Sequence, residues 1–411
     1  MKQYSQKGSF QNLQIEKGEQ NIPHNNFILQ ELDRTDCTPR AEAALFGIFD
    51  GHAGASVAVA ASKCLHEHIK SRLSAVLDSV FTKDRMESLS CSRHRVDSSD
   101  SISSCTDDGE YYIRSDQLVK GALESAFIEM DQQIASDKDV WRMPGGAAAI
   151  SVLVFLGKIY VANAGDCRAV LVTSAGTKAL SRDLTPASDR KRIQQIAYHH
   201  PDLIGKHFSR LEYGTRIRKS DLNQKIMYRD WFMDGWAVKT AKESDLRPPL
   251  ISRVSKKKRL FNTLGVARGF GDHHMVLAES NVSIKPFLSP VPEITVTALR
   301  DLESLSDLDV IIVASDGLWD VMSNEDASRI VRSVLGSTEA TDTTRYSQAA
   351  QELVVSARGN RDGDKRRWTI PGTGDASQDD ITAFVIPLKY CAAPANMDSD
   401  EDDDIIVIPT P

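Results

Sequence analysis

Apolar residues come along this chain as short continuous runs set between polar stretches. Residues 1–44 are polar and weakly patterned, and the first strong core signal is LFGIF at 45–49, which predicts a buried strand. Residues 56–77 then repeat apolar positions at helical spacing, as do residues 118–134. Between them, from Thr82 to about Asp116, Ser, Asp and Arg replace large apolar residues, as in DSSDSISSCTDDGE; residues 82–116 are expected to be a disordered insertion or surface loop. GGAAAISVLVFLGKIYVANAGD reads as two strands joined by a hairpin at Gly157-Lys158. Residues 182–259 are basic, rich in Tyr and Trp and poorly periodic, as expected of an insertion between core elements. Core strands return at 310–314 and 381–388, with helical stretches at 326–335 and 347–357. Strands and helices interleaved in this irregular order predict an α+β fold rather than a doubly wound parallel sheet.

Composition narrows the classes. A chain of 411 residues, 41% hydrophobic and 26% charged, can bury the core of one elaborated domain or of two. A net charge of −7 supplies no concentrated positive field, so neither nucleic acid nor an anionic membrane is expected as a partner. The six cysteines are scattered without a C-x-x-C pair, which argues against a zinc module or a disulfide framework and for a reducing compartment, cytoplasmic or nuclear. No signal-peptide h-region and no apolar run of the ~18 residues needed to cross a bilayer are visible, so a soluble protein is expected.

Several apolar strands end in aspartate: FGIFD at Asp50, followed by Gly51 and His52; NAGDCR with Asp166; DVIIVASD at Asp316. Asp379 stands just before the strand ITAFVIPL. Taken singly, each is also an ordinary turn or solvated loop. Together, at strand ends that share one side of a sheet, they predict one pocket of carboxylates. Like charges about 4 Å apart repel by roughly 1 to 4 kcal/mol at effective dielectrics of 80 to 20, so such a pocket needs cations or protons. Oxygen-only ligation points to Mg²⁺ or Mn²⁺, and a pair of such ions activates water for attack on phosphorus. Gly51 lets its backbone carbonyl approach an ion, and His52 is the candidate general acid. Other phosphoryl chemistries lack their motifs: there is no C-x₅-R and no P-loop, and GVARGFG does not fit the G-x-G-x-x-G pattern.

LFGIFDGHAG, YVANAGDCRAV, NTLGVARGFGDHH, VASDGLWDVMSNEDA and SQDDITAFVI, in this order, resemble the successive motifs of the type 2C metal-dependent protein serine/threonine phosphatases. The resemblance spans residues 45–389 and implies two packed antiparallel β-sheets flanked by helices on both outer faces, with two Mg²⁺ or Mn²⁺ ions at one end. It implies Asp50 as the ligand bridging both ions, the Gly51 carbonyl, Asp316 and Asp379 as further ligands, Asp166 at a weaker third ion, and His52 as proton donor. Gly145-Gly146-Ala147 stands where the family carries Gly-Gly before Thr-Ala, with Ala148 in place of that Thr. The segment 182–259 resembles the enlarged flap of one subgroup. Its Tyr228, Arg229, Trp231 and Trp236 either recognise a phosphoprotein or anchor the insertion on the body.

The front of the chain departs from the pattern. Residues 1–44 contain no Glu-Asp pair to ligate a second ion, and neither Arg34 nor Arg40 stands where the family's phosphate-binding arginine does, so no phosphate ligand is assigned. Without that strand pair the sheet is expected to expose an unpaired edge. Two functions follow from the resemblance: an active phosphoserine/phosphothreonine hydrolase, or a truncated or pseudophosphatase scaffold that binds phosphoproteins. In the tail, residues 390–411, an acidic block precedes Ile405, Ile406, Val407 and Ile408. That order resembles a SUMO-interacting motif, and a solvated tail is the other reading. The basic run at 256–259 reads as a nuclear-import patch, a phosphoprotein-docking patch or a solvated loop.

Overall fold

The computed structural model describes residues 6–16, 40–91, 113–136, 145–254, 257–278, 280–302, 305–361, 368–370 and 374–391. One antiparallel sheet runs in the order β1 (Gln6–Glu16), β2 (Arg40–His52), β3 (Gly146–Phe155), β4 (Lys158–Ala164) and β13 (Glu293–Ala298), and the short β12 (Phe270–Gly271) pairs with the start of β3. A second antiparallel sheet has the order β18 (Ala383–Pro387), β14 (Val310–Ala314), β5 (Arg168–Thr173) and β6 (Gly176–Ala179).

The continuous apolar runs follow from burial on both faces. In β2 and β3, Ile48, Ala148, Ile150 and Val152 join Ala169 and Leu171 of β5 and Ile311 and Val313 of β14 in one core between the sheets. The alternate residues Leu45, Phe49, Leu153 and Phe155 turn outward against α1 (Ser56–Cys91) and α2 (Ser115–Ser136). Val170, Val172, Val310 and Ile312 do the same on the other side, against α4 (Asp316–Trp319), α5 (Asn324–Ser337) and α6 (Arg345–Arg358). With a side-chain period of two, a strand apolar at every position must be covered on both sides. The layering is helices, sheet, sheet, helices, an α+β sandwich.

β3 and β4 are joined through Leu156 and Gly157, both at positive φ (48° and 67°), the backbone of a two-residue primed turn. The helix α3 (Arg190–His199) contributes Ile193 and Ala197 to the inter-sheet core. After it come a small sheet of β7 (Glu212–Tyr213), β8 (Lys225–Arg229) and β9 (Ala237–Thr240) and a hairpin of β10 (Ile251–Val254) and β11 (Lys257–Leu260). A last small sheet, β15 (Asn360–Arg361), β16 (Trp368–Ile370) and β17 (Gly374–Asp375), follows α6.

Two expectations are corrected. The edge of β2 is not open: β1 pairs with it from Gln6↔Asp50 to Glu16↔Arg40, its register set by main-chain hydrogen bonds that a polar sequence supplies as well as an apolar one. The helix expected to end near Leu77 runs on to Cys91, into the segment read as an insertion. Lys83, Arg85, Met86 and Glu87 are good helix formers, and a helix end needs no apolar face once its first turns are packed. Residues 92–112 and the tail motif at Ile405–Ile408 lie outside the described residues. Among the described residues, no helix is long and apolar enough to cross a membrane.

Candidate active site

The parity that builds the core also aims the first aspartate. Even-numbered residues of β2 face the second sheet, and Asp50, paired with Ala148, continues that row at the end of the sandwich. Asp166 lies in the crossover from β4 to β5, between the two sheets. Its neighbour Gly165, at φ +155°, passes so close to β3 that a Cβ there would stand 2.3 Å from the Ala148 side chain. Asp316 is the first residue of α4, directly after β14, and Asp379 precedes β18, the strand paired with β14. A Cβ on Gly317 would meet the Asp380 carbonyl at 2.1 Å, so Gly317 is what lets the Asp379 loop close on Asp316.

The charges of these groups act on common neighbours and on one another. Burial, and then the charges of Asp50, Asp166 and Asp316, push the thiol of the fully buried Cys167 well above its ordinary range. Burial, followed by the charge of Asp316, pushes Asp166 up to about 7. Asp316 is raised too, by burial first and then by Asp320, with Asp379 adding to it and Lys257 opposing. The structure therefore brings Asp50, Asp166, Asp316 and Asp379 to one end of the sandwich. Their all-oxygen chemistry suits a hard divalent cation. Among the described residues, however, no three His, Cys, Asp or Glu side chains converge as a ready-made metal cage. A protein cation is present instead: Lys257 Nζ, from β11, lies 2.5 Å from Asp320 Oδ2 and 3.5 Å from Asp316 Oδ2.

His52 is held from the far side of β3. Its Nε2 is 2.7 Å from Asp272 Oδ2, a contact between residues 220 apart in sequence. The two meet across Gly146, where a Cβ would stand 2.5 Å from Asp272 Oδ2, 2.6 Å from the Phe270 carbonyl and 2.8 Å from His52 Nε2. Beneath Asp272, the buried Asp131 of α2 accepts from the Gly271 N–H (2.8 Å) and from Lys285 Nζ (2.9 Å) and lies 3.0 Å from His273 Nε2. Desolvation opposes ionisation of Asp131, but the His273 hydrogen bond and the Lys285 charge outweigh it and hold its carboxyl below the usual range.

Asp272, Lys257, Asp320 and Asp131 were not singled out in the sequence. Asp272 lies inside the motif GFGDHH and Asp320 inside SDGLWD; Lys257 lies in the basic run at 256–259, which was read without reference to the carboxylates, and Asp131 carried no local signal. The two flap tryptophans differ in their surroundings. Trp231 packs its ring against Tyr198 and His199 of α3 and against Phe232, while Trp236 is half exposed with the Arg229 guanidinium 4.8 Å over its ring.

Comparison with known proteins agrees with the motif order. The sequence model of the family described as Protein phosphatase 2C matches residues 16–197 and 250–365, leaving the flap sheet between them unmatched. Protein phosphatase 1H of Xenopus tropicalis is 40% identical over 366 residues, covering 84% of this chain and 71% of that protein. Protein phosphatase 1J of Mus musculus is 40% identical over 351 residues (84% and 68%), and human Protein phosphatase 1M 38% identical over 347 residues (84% and 72%). Among solved structures, a serine-threonine phosphatase 2C from Toxoplasma gondii is 19% identical with a TM-score of 0.39, covering 77% of this chain and 82% of that one. A C. elegans sex determining protein is 15% identical with a TM-score of 0.43, covering 86% and 60%. Likeness that low carries no functional weight, and the assignment rests on the sequence matches. With the family's motifs in order at the end of a two-sheet sandwich, and matches over most of its length, the chain belongs to the protein phosphatase 2C family.

Proposed function

We propose that the protein hydrolyses phosphoserine and phosphothreonine in proteins, using water activated by Mg²⁺ or Mn²⁺. The observation that carries this reading is the gathering of Asp50, Asp166 and Asp316 around buried Cys167, with Asp379 beside Asp316. Partly buried carboxylates whose charges act on one another, as Asp316 does on Asp166 and Asp379 on Asp316, form a site waiting for positive charge. Asp50, the Gly51 carbonyl, Asp316 and Asp379 are the proposed ligands of two ions, with Asp166 toward a weaker third. Bound there, the ions would supply a nucleophilic water at neutral pH and neutralise charge on the phosphoryl oxygens.

The chain's own residues do the rest. Asp272 accepts from His52 Nε2 and orients the ring, which leaves Nδ1, when the ring carries both protons, as the nitrogen to pass one to the departing seryl or threonyl oxygen. Asp131 holds the loop that carries Asp272. The half-exposed Trp236 and Arg229 lie on the flap, where a phosphoprotein would be engaged.

The test is Mn²⁺-dependent hydrolysis of a phosphothreonine peptide by the purified chain, with Asp50→Ala as control. Metal-dependent turnover lost in the mutant supports the reading; no turnover from a chain folded by circular dichroism overturns it. A second reading, a scaffold that binds phosphoproteins without efficient catalysis, is favoured by one observation: a lysine, and no three-ligand cage, stands at the carboxylates among the described residues. Binding of the phosphopeptide without turnover would select it.

If His52 is the acid, Gly146→Ala is expected to lower kcat about a hundredfold or more, within the 10² to 10⁴ that general acids contribute. The new methyl would separate His52 from Asp272. His52→Ala should cost about as much, and the double mutant little more than either, because the two changes remove one function. Additive losses in kcat would show that Gly146 acts elsewhere.

A further inference from the structure

We propose that Lys257 is a tethered counter-ion of the carboxylate site and sets its affinity for divalent metal by competing with the ion for Asp316. The inference rests on the reading above that the ions bind at Asp316, and it gives Lys257 of the basic run at 256–259 a role at the carboxylates.

Lys257 opens β11 at the turn end of the β10–β11 hairpin, where it pairs with Val254. The root of the hairpin is fixed, since Ile251 and Leu260 are buried in the inter-sheet core. Lys257 itself stands at the end of the sandwich, where its ammonium lies between Asp320 (2.5 Å) and Asp316 (3.5 Å). The same charge acts on Asp166. Lys257 is thus the cation that offsets two of the proposed ligand carboxylates at once.

The pair is poorly suited to a purely structural role. The Lys257 side chain is 50% exposed and that of Asp320 46%, and ion pairs between such exposed groups add little to stability. The next residue shows what a structural lysine on this strand looks like. Lys258, on the opposite face of β11, donates to buried Glu212, which Arg229 also holds at 2.7 Å, and so pins the flap sheet to the hairpin. Lys257 instead spends its charge on the carboxylates that a metal needs. A divalent ion and an ammonium cannot both stand against the same Asp316 oxygen without strong mutual repulsion, so an ion held by that oxygen must displace the lysine.

The test is isothermal titration of the chelator-treated full chain with Mn²⁺, without substrate, at about 0.15 M salt, where exposed charges more than about 8 Å apart are largely screened. Lys257→Met is expected to bind Mn²⁺ at least about fivefold more tightly than wild type. Lys257→Arg keeps the charge and should match wild type. Lys258→Met removes one charge from the adjacent position and should leave the affinity unchanged. Equal or weaker binding by Lys257→Met, or equal tightening by Lys258→Met, overturns the proposal while leaving the metal site standing. Failure of both wild type and Lys257→Met to bind Mn²⁺ overturns the metal reading itself. Where circular dichroism shows Lys257→Met unfolded, Lys257→Gln carries the same prediction.

Discussion

Asp316→Ala is expected to leave less than a tenth of wild-type turnover of a phosphothreonine peptide at saturating Mn²⁺. Loss of a metal ligand or its support costs about 10 to 100-fold in affinity or activity, and Asp316 is central in three ways. It opens α4 directly after β14, it stands beside Asp379, and its charge acts on Asp166. The mutant should nevertheless fold. Burial and neighbouring negative charge disfavour the ionised Asp316 in the folded chain, so truncation removes an electrostatic cost while the β14 core residues stay in place. The measurement is kcat and KM over a Mn²⁺ series, with a thermal melt of the metal-free chain. Activity above about a tenth of wild type would remove Asp316 from the ligand set.

Trp319→Ala is expected to cost about 3 to 5 kcal/mol of unfolding free energy, the range for deleting a buried aromatic side chain. Trp319 is 7% exposed and packs in the core between the second sheet and its helices, among residues such as Leu318, Val331 and Leu353. Its indole N–H donates to the Ala314 carbonyl at 2.9 Å, which ties α4 to the last residue of β14. The Arg168 guanidinium lies 5.1 Å from the ring centroid while bonding Asp183 and Asn324, so truncation also loosens a bridge between the sheet and α5. Against the roughly 5 to 15 kcal/mol by which domains are stable, this is a large share. Denaturant unfolding reads it directly. Trp319→Phe should recover most of the packing and lose about 1 to 3 kcal/mol for the unpaired carbonyl. A loss under about 1 kcal/mol in the alanine variant would contradict the packing described. Because Asp316 and Trp319 share α4, activity of Trp319→Ala should fall at temperatures below its unfolding transition.

Each element that was legible in the sequence was legible for a reason visible in the packing. The runs around Ile150, Ile312 and Val385 are apolar at successive positions because each strand is covered on both faces. The aspartates at their ends stood out because a charge immediately after such a run marks where the sandwich stops. β1 escaped notice because an edge strand is recruited by the main chain of β2, and main-chain donors and acceptors leave no trace in residue type. The end of α1 was placed too early because apolar periodicity reports packing and not helicity.

The sequence by itself determined the fold class and the family, and marked the aspartates at strand ends as candidates, since periodic burial and contiguous motifs are local properties of the chain. Closure of the two sheets decided which of those charges meet. Pairing of β12 with β3 set His52 against Asp272 across 220 residues, the packing of α2 put Asp131 under the loop of Asp272, and the flap hairpin carried Lys257 to Asp316 and Asp320. Such pairings depend on the distances that a packed core imposes between remote segments, and a side chain's identity does not disclose which distant partner the fold will bring to it.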